Sequence, residues 1–148
     1  MPITQVSIYL DNRPGSLFDA MSQLDKNEIK IFALSIADAG EYGLVRLIAD
    51  NPEKASKLLE AADFNLAKSH KNTEVTATFI TEKDTISKVT KILGDNGINI
   101  EYAYSSAIHV EGKIALILRP SDVAKAEQIL TQSGVSVLSL SQIKQYFK

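Results

Sequence analysis

The chain contains no cysteine and no tryptophan. Without cysteine, disulfides, thiol catalysis and thiolate-bound metals are all excluded. Its two histidines, His70 and His109, are too few for a histidine metal cage within one chain. A charge excess of either sign is also missing. The net charge is -2, with no basic stretch of the kind that marks a nucleic-acid or anionic-membrane partner. No apolar run approaches the roughly 18 residues a membrane-crossing helix needs. The N-terminus passes directly into Ile3-Thr4-Gln5-Val6, with no basic region and no apolar signal core. The expectation is a soluble, cytoplasmic protein with no membrane or nucleic-acid partner. Catalytic constellations are absent too. There is no Ser/His/Asp set, no pair of carboxylates in an apolar setting, and no G-x-x-x-x-G-K-[ST] phosphate loop. The chain therefore reads as a non-enzyme that needs no cofactor.

What is present is an internal repeat, the first feature to seek because missing one misreads the fold. A shift of about 69 residues lays Val6, Ile8 and Leu10 onto Val75, Ala77 and Phe79. The same shift takes Leu17 to Ile86, Leu24 to Leu93, Ile29 and Ile31 to Ile98 and Ile100, and Gly43 to Gly112. At 148 residues the chain holds two copies of about 70 each, a size at which small domains bury a modest share of surface.

Within each copy the hydrophobic period changes in one order. Val6 to Leu10 alternates with period two, as a half-buried strand does. Leu17, Phe18, Met21 and Leu24 share a helical stripe. Ile29 to Ile36 is rich in β-branched residues, turns at Ala39-Gly40-Glu41 and returns through Leu44 to Ile48 as a hairpin. Asn51-Pro52-Glu53 opens a second helix with a cap residue and a first-turn proline. Phe64-Asn65-Leu66 begins a last strand. In the second copy the strand is 73–79, the helix 84–95 and the hairpin 98–118, turning at Glu111-Gly112. The closing helix is 121–132 and the closing strand 135–140. A terminal turn with Ile143, Tyr146 and Phe147 reads as a helical cap.

The order βαββαβ with right-handed crossovers gives a four-stranded antiparallel sheet with both helices on one face. The fold class is thus α+β: two ferredoxin-like units, free to join into one eight-stranded sheet. The expected boundaries are 1–70, 71–140 and a C-terminal helical turn at 141–148. The face opposite the helices should carry Tyr9, Phe32, Leu34, Ile36, Leu44 and Ile48 in the first copy, too apolar to stay wet. Packing on the other copy or on a second chain follows, and a homodimer is the expected assembly.

The informative motif lies between the first strand and first helix, at Leu10-Asp11-Asn12-Arg13-Pro14-Gly15-Ser16-Leu17. Pro14 fixes φ, and Gly15 lets a ligand or another backbone approach. The amides around Gly15 to Leu17 have no partner inside the helix and suit a carboxylate. Asn12 can donate and accept, as an amino-acid zwitterion requires. A plain helix start with a sharp turn accounts for the same residues. Asp11 reads equally as an ammonium partner or as an acid complementing the helix dipole.

The βαββαβ order with Asp-Asn-Arg-Pro-Gly-Ser-Leu after strand one resembles the ACT domain, a regulatory module that binds amino acids. The likeness covers the whole chain, once per copy. It is specific through Asn12-Arg13-Pro14-Gly15 and Asn27-Glu28-Ile29 in the first copy, and through Asp95-Asn96-Gly97-Ile98-Asn99-Ile100 in the second. The tandem resembles double-ACT proteins without a catalytic domain. The resemblance implies a ligand between two units, held by the loop of one and a strand-two asparagine of the other. The loop survives only in the first copy, since Thr81-Glu82-Lys83-Asp84 lacks proline and glycine. The asparagine survives only in the second, as Asn99, where the first copy has Lys30. One composite site is implied, drawing on residues 10–17 and on Ile98, Asn99, Ile100 and Tyr102. Tyr102 and Tyr104 alternate on the second strand of the second copy and are placed to flank the ligand, although core or interface packing accounts for them better.

The functional expectation is a regulator that binds a small amino acid and signals to a metabolic enzyme or other partner. The alternative is an interaction module without a small-molecule ligand. An RNA-binding sheet is disfavoured, because the strands at Leu44 to Ile48 and Ile114 to Leu118 are aliphatic where aromatics would stack on bases. The sequence does not name the ligand; a small pocket near Tyr102 hints at an aliphatic or aromatic amino acid.

Overall fold

A computed structural model describes residues 2–66, 72–107, 109 and 113–146. The chain divides into one compact unit over Thr4–Thr73 and a second over Glu74–Lys148, which also takes in Ile3. The first contains β1 (Ile3–Asp11), α1 (Ser16–Lys26), β2 (Ile31–Ala39), β3 (Tyr42–Ala49), α2 (Pro52–Ala61) and the two-residue β4 (Asn65–Leu66). The second contains β5 (Asn72–Ile80), α3 (Ile86–Asp95), β6 (Ile100–Ser105), β7 (Ile114–Pro120), α4 (Val123–Gln132), β8 (Val137–Leu138) and α5 (Leu140–Tyr146). Each is a ferredoxin-like βαββαβ unit. In the first, β3 pairs antiparallel with both β2 and β1, and β4 pairs with β1. In the second, β7 pairs with β6 and β5, and β8 with β5.

The helices form because each places a buried stripe on its sheet. Ala20 and Leu24 of α1 and Ala55 and Leu59 of α2 pack with Val6, Ile8, Leu10, Val45 and Leu47 in the first core. Val89 and Leu93 of α3 and Ala126 and Leu130 of α4 pack with Leu116 and Leu118 in the second. Four helix starts are capped by a side chain that accepts from a first-turn N–H: Asn51 from Lys54, Thr85 from Lys88, Asp122 from Lys125 and Ser139 from Gln142. Helix α1 is the exception, with Gly15 at its cap position.

Three details correct the sequence reading. The first concerns register. Leu10 opposes Gly43, whereas Ile80, not Phe79, opposes Ile114. The first strands therefore match by a shift of 70 and the third strands by 71. The helix-facing residues of β5 are Thr76, Thr78 and Ile80, while Val75, Ala77 and Phe79 face the other way. A one-residue slip reverses every side chain of a strand. It arises because Leu10 and Ala20 are ten residues apart, whereas their counterparts Ile80 and Val89 are nine apart. The hairpin of the second unit is also two residues longer. Gly43 consequently matches Ile114, and the expected turn at Glu111-Gly112 lies outside the described residues.

The second correction concerns β2. Ile31 opposes Ala49 and Ala33 opposes Ile48, so Phe32 is an extra residue in a bulge. Beyond it, Leu34 and Ile36 oppose Leu47 and Val45 and share the helix-side face, on a strand the helices do not cover. They are 36% and 54% exposed and do not belong to the opposite face with Tyr9, Leu44 and Ile48. A matching bulge lies between Ile100 and Tyr102 in β6. The third is the last segment. The closing strand is only Val137–Leu138, and the chain then enters α5, whose Ile143 is buried. Phe147 and His70 lie outside the described residues, and His109 is exposed.

Candidate functional site

The loop joining β1 to α1 is built by the hairpin beside it. Asn12 N–H donates to the Glu41 carbonyl at 2.9 Å. The Asn12 side-chain amide donates to Asp38 Oδ1 at 3.1 Å and to the Gly40 carbonyl at 2.9 Å. Asp38 Oδ1 also accepts from Gly40 N–H at 2.9 Å, so one carboxylate oxygen joins loop and turn. The donors of Asn12 are thus engaged in holding the loop rather than directed outward. Arg13 N–H donates to the Asp11 carbonyl at 2.9 Å, and Ser16 N–H donates to the Arg13 carbonyl at 3.3 Å.

Gly15 has φ +89, the left-handed region, with no atom within 4 Å of where a Cβ would stand. The restriction there is backbone strain, not lack of space. The first helical donor bonded within α1 is Asp19 N–H, to the Gly15 carbonyl at 3.0 Å. The amides of Leu17 and Phe18 precede it, and no side chain caps the helix. They are donors at the positive end of a helix dipole.

A cavity of about 170 Å³ opens beside this helix start, entirely within the first unit. Tyr9, Leu10, Asp11, Arg13, Ser16, Asp19, Ala62, Asp63 and Phe64 line it. Ser16 is 6% exposed, and its buried hydroxyl has no hydrogen-bond partner. A buried hydroxyl without a partner costs free energy and calls for an explanation. Arg13 Nε lies 3.7 Å from Asp11 Oδ2, an exposed pair of small energetic weight. The Tyr9 ring meets Tyr42 edge-on at 6.5 Å.

Of the residues singled out from sequence, the cavity brings together Leu10, Asp11, Arg13 and Ser16. Asn12, Pro14 and Gly15 shape the loop, and Leu17 packs against the first core. In the second unit Ile98 is buried in the core and Ile100 packs against it. Asn99 is exposed just before β6. Its N–H donates to Ser121 Oγ at 3.1 Å, and its carbonyl accepts from Ser121 N–H at 2.8 Å. Tyr102 is half-buried on β6 opposite Arg119.

The sequence reading missed Tyr9, Asp19, Ala62, Asp63 and Phe64. One signal was available for Asp63: it holds φ +65, and the matching helix exit in the second unit is Gly134 at φ +81. A non-glycine residue in the left-handed region is uncommon, although aspartate tolerates it better than most. The loop that replaces the motif in the second unit is closed on itself. Thr81 Oγ1 accepts from the N–H groups of Lys83 and Asp84, and Thr81 N–H donates to the Asp84 carbonyl. Among the described residues no cluster of metal-ligating side chains occurs, and no helix is long and apolar enough to cross a membrane.

The model of the ACT domain pair matches residues 1–145. Among solved structures the chain is similar to protein BT0572 from Bacteroides thetaiotaomicron. The identity is 30%, the TM-score 0.86, and the match covers 97% of this chain and 96% of that one. It also resembles the ligand-free regulatory subunit of aspartate kinase from Thermus thermophilus, at 16% identity and TM-score 0.61 over 98% and 93% of the chains. The regulatory subunit from Thermus flavus aligns at 14% identity and TM-score 0.56 over 98% and 92%. These last two likenesses concern the fold alone. The curated proteins give no match. With the pair model spanning both repeats and a 30%-identical relative covering 97% of the sequence, the chain belongs to the ACT domain pair family.

Proposed function

We propose that this protein is a non-catalytic regulator that binds a free amino acid at the β1–α1 loop of its first unit and signals to a metabolic enzyme or other partner. The observation that carries this reading is the uncapped start of α1 beside a cavity lined by Asp11, Arg13 and Ser16 of the same loop. A carboxylate placed there would accept from the Leu17 and Phe18 amides and complement the dipole. The cavity is of amino-acid size, smaller than a site for a drug-sized ligand.

The same proposal keeps Asn99 as a ligand-binding residue, on the strength of the sequence asymmetry between Asn99 and Lys30. Binding can shift an assembly only through differential affinity for its states, and a homodimer is the assembly we propose. The regulatory role is supported by the family and by the neighbours described as aspartate kinase regulatory subunits.

Thermal unfolding of the full chain with each of the twenty amino acids tests the reading. One or a few should stabilise, by about 2.7 kcal/mol at a hundredfold excess over Kd. Asn99→Ala should lose the response, while Lys30→Ala and Lys83→Ala should keep it. If no amino acid stabilises the chain, the alternative of a ligand-free interaction module gains. That alternative is favoured by the exposed Phe18 and Ile36, 72% and 54% accessible in the first unit.

A further inference from the structure

Among the described residues each unit has one strand paired on a single side, β2 with β3 in the first and β6 with β7 in the second. Such an edge presents main-chain donors and acceptors to any further strand, and proteins blunt it with charges, prolines or short length. The β6 edge is blunted. Glu101, at its bulge, is exposed with Oε1 3.4 Å from Arg119 Nε. Beyond the bulge its helix-side residues are the small Ala103 and Ser105, opposite Leu118 and Leu116.

The β2 edge has none of these devices. Residues 31–37 read Ile-Phe-Ala-Leu-Ser-Ile-Ala, with no charge and no proline. The bulge position of Glu101 is taken by Phe32, which is buried, and the positions of Ala103 and Ser105 by the exposed Leu34 and Ile36. A long, uncharged, apolar edge of this kind calls for a covering strand.

The strand is complementary to itself. An antiparallel pairing about a two-fold axis at Ser35 sets Leu34 against Ile36 of the partner subunit, twice, on the helix-side face. On the other face it brings together only Ala33, Ser35 and Ala37, and the paired segment stays clear of the bulge at Phe32. Charge selects the same direction. Lys30 precedes β2 and Asp38 stands near its end, both exposed, so antiparallel copies place one lysine and one aspartate at each end of the ladder. A parallel alignment would gather like charges. At the matching positions of the second unit stand Asn99 and Ala107, which carry no charge.

We infer that the outer edge of β2 is the homodimer interface, joined antiparallel to β2 of a second copy about Ser35. The inference rests on the homodimer proposed above and not on the ligand. With β6 blunted, the association is isologous and closes at two copies rather than growing into a filament.

Sedimentation equilibrium of the full chain across a range of concentrations tests it, with circular dichroism checking that each variant folds. The parent should be a dimer. Leu34→Glu and Ile36→Lys, both at exposed positions, should each raise the dissociation constant at least about thirtyfold by leaving an unpaired charge in the interface. The two combined should recover most of the dimer, since each glutamate then faces a lysine of the other copy. Ala103→Lys on β6 should leave the dimer unchanged. If the single substitutions do not weaken the dimer, or if Ala103→Lys dissociates it, the β2 interface is overturned and the homodimer reading stands. A double variant as dissociated as the single ones would overturn the axis at Ser35. A parent that stays monomeric at every concentration would overturn the homodimer reading and this inference with it, leaving amino-acid binding to the thermal-unfolding test.

Discussion

The two units share a topology and a core but finish their helices differently. In the second unit α3 starts on a threonine cap and ends at Gly97, and α4 ends at Gly134, each glycine in the left-handed region. In the first unit α1 starts on Gly15 without a cap. The two left-handed exits fall to Glu28 at φ +59 and Asp63 at φ +65. The second unit thus follows the local rules for helix termini, and the first departs from them at three places. Two of those, Gly15 and Asp63, adjoin or line the cavity. Local departures of this kind are expected where function competes with stability. The comparison teaches that the departures fall in the first unit, two of them at the cavity we propose as the ligand site, while the helix ends of the second unit follow the local rules.

The sharpest way to break this comparison is in the cores, where the units should be equivalent. Leu24 and Leu93 are both fully buried at matching positions of α1 and α3. Leu24→Ala and Leu93→Ala should each destabilise the chain by about 2–5 kcal/mol, through lost burial and a residual cavity. Denaturant unfolding followed by circular dichroism measures both. A cost for one of them below 1 kcal/mol would show that the repeat is not energetically duplicated.

A smaller and more discriminating effect lies at the helix starts. Thr85→Ala removes the hydroxyl that accepts from Lys88 N–H at 3.1 Å, and should cost about 1 kcal/mol. It should leave amino-acid binding unchanged. Gly15→Ala introduces a Cβ at φ +89 and should also cost about 1 kcal/mol, from strain alone. Here, though, binding should be lost or weakened more than tenfold, because relaxing φ moves the amides that follow. Equal binding by both variants would dissociate the α1 start from the ligand.

How far these features were legible follows from what each depends on. The order of elements, the cap residue Asn51 and the buried stripes of the helices are local, and periodicity and the Asn-Pro signal expose them. The faces of β2 and β5 were not legible, because each hinges on one extra residue. Phe32 bulges in a run of apolar residues, and α1 has an additional residue before Ala20. Neither insertion disturbs the alternating pattern enough to be seen, yet each reverses a strand face. At the site, the Asp11–Ser16 turn was visible as a motif. The far wall was not, since Asp63 and Phe64 come from the exit of α2 and meet the loop only through the fold. Beside Gly134, however, the aspartate at a helix exit is itself a legible anomaly.

That anomaly sharpens the comparison in the direction of gained stability. Glu28→Gly and Asp63→Gly each place glycine where the second unit already has it. Each should stabilise the chain by up to about 1 kcal/mol through relief of left-handed strain, less for Asp63 because aspartate tolerates the region. Gly97→Ala should show the converse, a loss of about 1 kcal/mol with no steric clash, since nothing lies within 4 Å of its Cβ position. Ligand titration separates the two gains. Glu28→Gly should bind as the parent does, whereas Asp63→Gly changes a residue of the cavity lining and should alter the affinity.

The smallest effect is electrostatic and confined to the second unit. Lys91 Nζ lies 2.8 Å from Asp95 Oδ2 four residues on in α3, and the matching residues of α1 are Ser22 and Lys26, which cannot form the pair. The hydrogen bond to Asp95, then its charge, raises the Lys91 pKa above 10.5. A raised folded-state pKa means that this pair contributes below the unfolded-state value and ceases to contribute as pH rises through the folded one. Lys91 is fully exposed, so the contribution is slight and screened by salt. Lys91→Gln should therefore leave unfolding at pH 7 indistinguishable from the parent in high salt. At low salt any difference should vanish as pH rises through the raised folded-state pKa. A difference that persists there would mean that Lys91 acts through the packing of its aliphatic stem rather than through its charge, and α3 would then differ from α1 in more than its helix ends.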